Sequence, residues 1–234
     1  MTDQKISSTG KANQFPIPNI STSSGETQMP VGLGAQYDTV HTQISNMRTS
    51  SSSQGSTKTP ISGDVPSTFV SQKPSSSTNT NEDSGSDNAN CGPTTLLMIA
   101  RMFGKEGGGA TEADDQIEQM RGLMGATSDE GSDTNVDQLA EGAQKMGLDA
   151  EVDQGGVEEI EEALNQGKKV IVNVNPKEYG GEDVAHFAVV TSIDGDTVTL
   201  FDPLEQKPIT INKSELQSAM SEQENYMVKI GKKQ

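Results

Sequence analysis

Residues 1–80 hold 29 Ser or Thr, with serine runs at Ser50–Ser53 and Ser75–Ser77 and few aliphatic side chains. Such a segment cannot bury enough apolar surface to offset the conformational entropy lost on ordering. Residues 1–85 are therefore expected to form a disordered Ser/Thr-rich region, and any core must come from residues 86–234. The charge divides at nearly the same place. Residues 1–80 carry four acids and five bases, whereas residues 81–234 carry 30 acids and 12 bases, so the formal charge of −17 belongs to the second part. So acidic a domain repels a phosphate backbone, which argues against nucleic acid as a partner. It suits a soluble domain or a basic target.

No stretch reaches the ~18 apolar residues needed for a membrane span. The first residues lack a charged region followed by an apolar core, so no Sec-type signal is expected. A flexible, uncharged, Ser/Thr-rich N-terminal region is also common in substrates of bacterial type III secretion. Export by a signal-peptide-independent bacterial route is one expectation, and a cytoplasmic protein is the other. Val31–Val40 has some apolar character without a sustained period. It is a candidate docking segment for a secretion chaperone, or else an incidental apolar patch.

Beyond residue 86 the pattern changes to helices followed by strands. Asn90 suits an N-cap and Pro93 is tolerated in a first turn. Leu96, Leu97, Ile99, Ala100 and Phe103 then form an apolar face too broad for a surface helix, and Gly104 ends it. Ile117, Met120, Leu123 and Met124 predict a second helix. Val136, Leu139, Ala140, Ala143 and Met146 predict a third, and Val157, Ile160 and Leu164 a fourth. Lys169–Val174 and Ala185–Ile193 are β-branched apolar runs. Asp194-Gly195-Asp196 is a hairpin turn returning through Thr197–Phe201. Pro208–Ile211 and Tyr226–Ile230 predict two short strands with a helix at Lys213–Met220 between them. The expected fold class is α+β, with N-terminal helices packed on an antiparallel sheet.

Cys91 is the one cysteine in the chain, and His186 is the one histidine beyond His41. A free thiol, with pKa ~8.5, is largely protonated at neutral pH, and the thiolate is the nucleophile. A helix N-terminus and a neighbouring imidazolium both favour the thiolate. The N–H groups of a helix start also suit an oxyanion formed by attack on a carbonyl. If the hairpin carries no bulge, its turn brings His186 and Asp202 approximately opposite one another. Asp202 would then orient the imidazole. Taken singly, Cys91 reads as a packing residue, His186 as a core histidine and Asp202-Pro203 as a turn. Together, in this order, they read as a nucleophile, a base and its orienting acid.

The segment Asn88-Ala89-Asn90-Cys91-Gly92-Pro93-Thr94-Thr95 resembles the nucleophile motif of C39-like peptidases in the papain-like superfamily. Ala185-His186-Phe187-Ala188-Val189-Val190 and the later Asp202-Pro203 resemble that family's histidine strand and acid. The resemblance spans roughly residues 86–230. It implies a papain-like cysteine hydrolase fold, a protein substrate, no cofactor, and Cys91, His186 and Asp202 as the catalytic residues. In one respect the chain departs from the family, which usually carries Gln six residues before the nucleophile. Here that position is Gly85. The donor to the oxyanion then falls to Asn88, to Asn90 or to the backbone N–H of Cys91.

Other motifs carry less. Glu112–Asp115 and Asp129–Asp133 are acidic but lack EF-hand spacing, and no Cys/His set suits structural zinc, so no metal is expected. Glu151–Glu162 reads as a solvated acidic face. A cysteine peptidase acting as a secreted effector or toxin is the leading expectation. A glutamine deamidase on the same fold is the second, and an inactive peptidase-like binding module is the third.

Overall fold

The computed structural model describes residues 58–72, 90–105, 112–126 and 134–233. Five α-helices are found among them: α1 (Cys91–Phe103), α2 (Ala113–Leu123), α3 (Val136–Lys145), α4 (Val157–Asn165) and α5 (Lys213–Ser221). Seven strands are found: β1 (Thr59–Pro60), β2 (Leu148–Gln154), β3 (Lys169–Val174), β4 (His186–Asp194), β5 (Thr197–Phe201), β6 (Ile209–Asn212) and β7 (Tyr226–Lys232). They form one sheet in the order β1-β6-β5-β4-β3-β7-β2, with every pairing antiparallel. The α+β expectation therefore holds. None of the described helices is long and apolar enough to cross a membrane.

Both faces of the sheet are covered, which explains why β3 and β4 read as continuous apolar runs. On one face, Ile171, Phe187 and Val189 meet α1, α2 and α3. On the other, Val170, Val172, Ala188 and Val190 meet α4 and α5. α1 is the central helix, and Leu96, Leu97, Met98, Ile99 and Ala100 are all fully buried. Each large side chain buried this way contributes roughly 1.5–3 kcal/mol. Gly104 ends α1 in the left-handed conformation at φ 65° and bonds back to the carbonyls of Ala100 and Arg101. Asn135 and Asn212 start α3 and α5 with reciprocal capping boxes through Gln138 and Glu215.

In two places the structure differs from the sequence reading. Residues 148–154 form a strand, although their acidic residues suggest a solvated face. Leu148 and Ala150 point inward and are buried, while Asp149 and Glu151 alternate outward. Residues 58–72, expected to lie in the disordered region, are part of this unit. β1 pairs with β6, the Gln72 N–H donates to the Pro203 carbonyl at 2.8 Å, and Phe69 packs edge-on against Phe201 at 5.5 Å. Phe69 and Val70 are buried among the residues around α1. A few buried side chains and a two-residue pairing suffice to anchor a segment whose average composition is polar. The Val31–Val40 window and the acidic Asp129–Asp133 loop lie outside the described residues.

Candidate active site

Cys91 is the first residue of α1 and is buried. The turn after it is tightly enclosed. A Cβ added at Gly92 would lie 2.0 Å from Thr134 Oγ1, so only glycine fits there. Asn90 precedes the helix, as expected, but does not cap it. Its backbone is helical (φ −84°, ψ −9°) and its side chain makes no capping bond. The side chain is instead held from α2, where Arg121 Nη2 donates to Asn90 Oδ1.

His186 opens β4, paired with Val174 at the end of β3. Asp202 directly follows the end of β5. Asp202 Oδ1 lies 2.8 Å from His186 Nε2, and both side chains are buried. Cys91 also lies close enough to the His186 side chain to favour the charged imidazole. Since Nε2 is engaged by Asp202, the nitrogen left for sulfur is Nδ1. Thiol, imidazole and carboxylate thus follow one another in series.

The hairpin achieves this by a different register from the one expected. The turn leaves Asp194 opposite Thr197 and Ser192 opposite Thr199. Continued without interruption, that register would put Asp202 opposite Val189, on the other face from His186. A bulge at Thr191 inserts one residue, after which Val190 faces Leu200 and Val189 faces Phe201. This one-residue shift carries Asp202 to the side of the sheet that His186 occupies. The bulge is therefore what lets the pair form.

Burial opposes the charged imidazolium, but its hydrogen bonding to Asp202, the interaction with Cys91 and the nearby carboxylate charge outweigh it. The His186 pKa is raised to about 9. Burial likewise opposes the Asp202 carboxylate, and His186, the Leu204 N–H and Tyr179 together hold its pKa below the ordinary value. The Leu204 N–H donates to Oδ1 at 2.9 Å and Tyr179 Oη donates to Oδ2 at 2.8 Å. Tyr179 is a site residue that sequence reasoning misses. It ends a short 3-10 helix (Pro176–Tyr179) that follows β3, and it is fully buried. No local pattern distinguishes it from the other tyrosines. Of the two asparagines expected near the oxyanion, Asn90 adjoins Cys91 and Asn88 lies outside the described residues, as does Gly85.

A family model described as the peptidase C39 family matches residues 84–228. Among solved structures, a protein described as a C39-like peptidase from Bacillus anthracis superposes with a TM-score of 0.51 at 17% identity, over 74% of this chain and 98% of that one. The peptidase domain of Streptococcus ComA, a bifunctional ABC transporter involved in quorum sensing, gives a TM-score of 0.47 at 18% identity, over 62% of this chain and 93% of that one. No match was found among curated proteins.

Proposed function

The chain belongs to the peptidase C39 family, and from that premise we propose that it hydrolyses amide bonds in a protein substrate with Cys91 as nucleophile, His186 as acid and base, and Asp202 as orienting residue. The observation that carries this reading is the buried 2.8 Å bond between His186 and Asp202, with Cys91 at the start of α1 near enough to favour the charged imidazole. His186 Nδ1 takes the thiol proton as sulfur attacks the carbonyl carbon. The tetrahedral oxyanion accepts from the Cys91 backbone N–H at the start of α1. Collapse breaks the C–N bond, and the imidazolium gives its proton to the leaving amine. A thioester remains. Water, deprotonated by His186, then attacks it and frees the thiolate. Throughout, Asp202 keeps Nε2–H engaged, so that Nδ1 faces sulfur.

A proteomic comparison of cells expressing the wild-type chain and Cys91→Ala tests this. New protein termini are expected only with the wild type. A gain of about one dalton at glutamine without chain cleavage would instead mean deamidation, and identical proteomes would exclude both enzymatic readings. We read residues 1–57 as an address for export rather than as part of the active site. Their removal is expected to abolish delivery while purified-enzyme activity persists.

A further inference from the structure

A peptidase that lacks the usual glutamine needs another donor to the oxyanion, and the contacts of Asn90 supply one. Arg121 is buried (2% exposed) on α2. Its Nε donates to Glu118 Oε1 at 3.1 Å, its Nη2 donates to Asn90 Oδ1, and its Nη1 is buried with no hydrogen-bond partner among the described residues. A guanidinium has donors and no acceptor. The atom of Asn90 that meets it is therefore the carboxamide oxygen, and the amide cannot be turned the other way without placing N–H against N–H. The two hydrogens on Asn90 Nδ2 are left on the opposite side. Asn90 is half-buried, adjoins Cys91 and spends no bond on capping α1. No described residue accepts from its amide nitrogen.

A buried guanidinium with both N–H groups of one nitrogen unpaired is costly. A chain seeking only stability gains little from such a group when its partners are one amide and one exposed carboxylate. A site that must present an N–H in a fixed direction gains more, because a donor already oriented need not reorganise when negative charge develops. We propose that Asn90 Nδ2 is the second donor to the oxyanion, and that Arg121 is the positioning residue that fixes its amide. This rests on Cys91 being the nucleophile. It differs from the family pattern in placing the donor immediately before the cysteine, on the amide of a residue tied to a neighbouring helix.

Two reactions of the full-length protein separate this role from others. Acylation of Cys91 by p-nitrophenyl acetate passes through an oxyanion, whereas alkylation by iodoacetamide does not. In Asn90→Ala and Asn90→Asp, acylation is expected to fall on the order of 10²-fold while alkylation stays within about twofold of wild type. Arg121→Met is expected to lower acylation in the same selective way, with Arg121→Lys recovering part of it as a single donor to Oδ1. An unchanged ratio of acylation to alkylation in the Asn90 variants overturns the proposal. So does an equal fall in both rates, which marks a structural role. A different result sinks the nucleophile reading itself, namely wild-type Cys91 alkylating no faster than a model thiol at pH 7, or acetyl groups mapping elsewhere.

Discussion

At the scale of single residues, the site depends on how Asp202 is held. Three donors converge on one buried carboxylate, and that carboxylate helps raise His186 to about 9. In the proposed mechanism the leaving amine takes its proton from the imidazolium, so hydrolysis is expected to decline as pH rises through about 9, which a pH–rate profile measures. In Asp202→Ala burial persists while the attraction is lost, so that limb moves to lower pH and the rate falls about 10²–10⁴-fold. The same pair gives folding a pH dependence. His186 lies above its ordinary 6.5, so its contribution is whole below that value and is lost as pH rises through about 9. Asp202 lies below its ordinary 3.8, so its contribution is present above that value and disappears in stronger acid. Tyr179→Phe leaves Oδ2 without its donor. The variant is expected to be about 1–3 kcal/mol less stable in urea unfolding, and its acid limb should move upward as Asp202 becomes easier to protonate. Cys91, His186 and Asp202 were legible as candidates because their residue types are scarce or sit at recognisable positions. Tyr179 and Arg121 were not, since each acts on a residue more than twenty positions away and neither belongs to a local pattern.

Among the elements, the β4–β5 hairpin shows how near a correct expectation can come for an incomplete reason. The symmetry of the turn suggested that His186 and Asp202 meet, and they do. The actual turn is offset by half a residue from that centre, and the bulge at Thr191 restores the match. Bulges leave little trace in a sequence, because one extra residue in an apolar strand looks like any other. Deleting Thr191 removes the unpaired residue but leaves Val190 opposite Leu200 and Val189 opposite Phe201, so the His186–Asp202 pair is expected to survive. The imidazole resonance should still titrate near 9 by NMR, and a titration well below 9 would show that the bulged residue itself holds the pair. β2 is legible in the alternation of Leu148, Ala150 and Val152 with polar residues, which has the strand period of two, although the acids between them also fit a solvated face.

For the whole molecule, the boundary of the folded unit lies earlier in the chain than composition suggests. Ser71 Oγ and the Gln72 N–H both donate to the Pro203 carbonyl, next to Asp202, while Phe69 leans on Phe201. The segment thus braces the turn that carries Asp202. Truncation after residue 57 is expected to leave the melting temperature and the hydrolytic rate near those of the full chain. Truncation after residue 72 should lower both, and equal behaviour of the two would show that the brace is dispensable. An average over eighty residues hides this, because the anchor consists of a few side chains in a long polar stretch.

The position of β2 at the end of the strand order has a consequence for molecules in a crowd. Among the described residues no strand lies beyond it, so one row of its backbone N–H and C=O groups is open to pairing with another chain. Asp149 and Glu151 stand exposed along that row. Two copies approaching edge to edge would bring these carboxylates together. The acidity that looked in the sequence like a property of the whole domain thus also works locally, as a guard against templated aggregation.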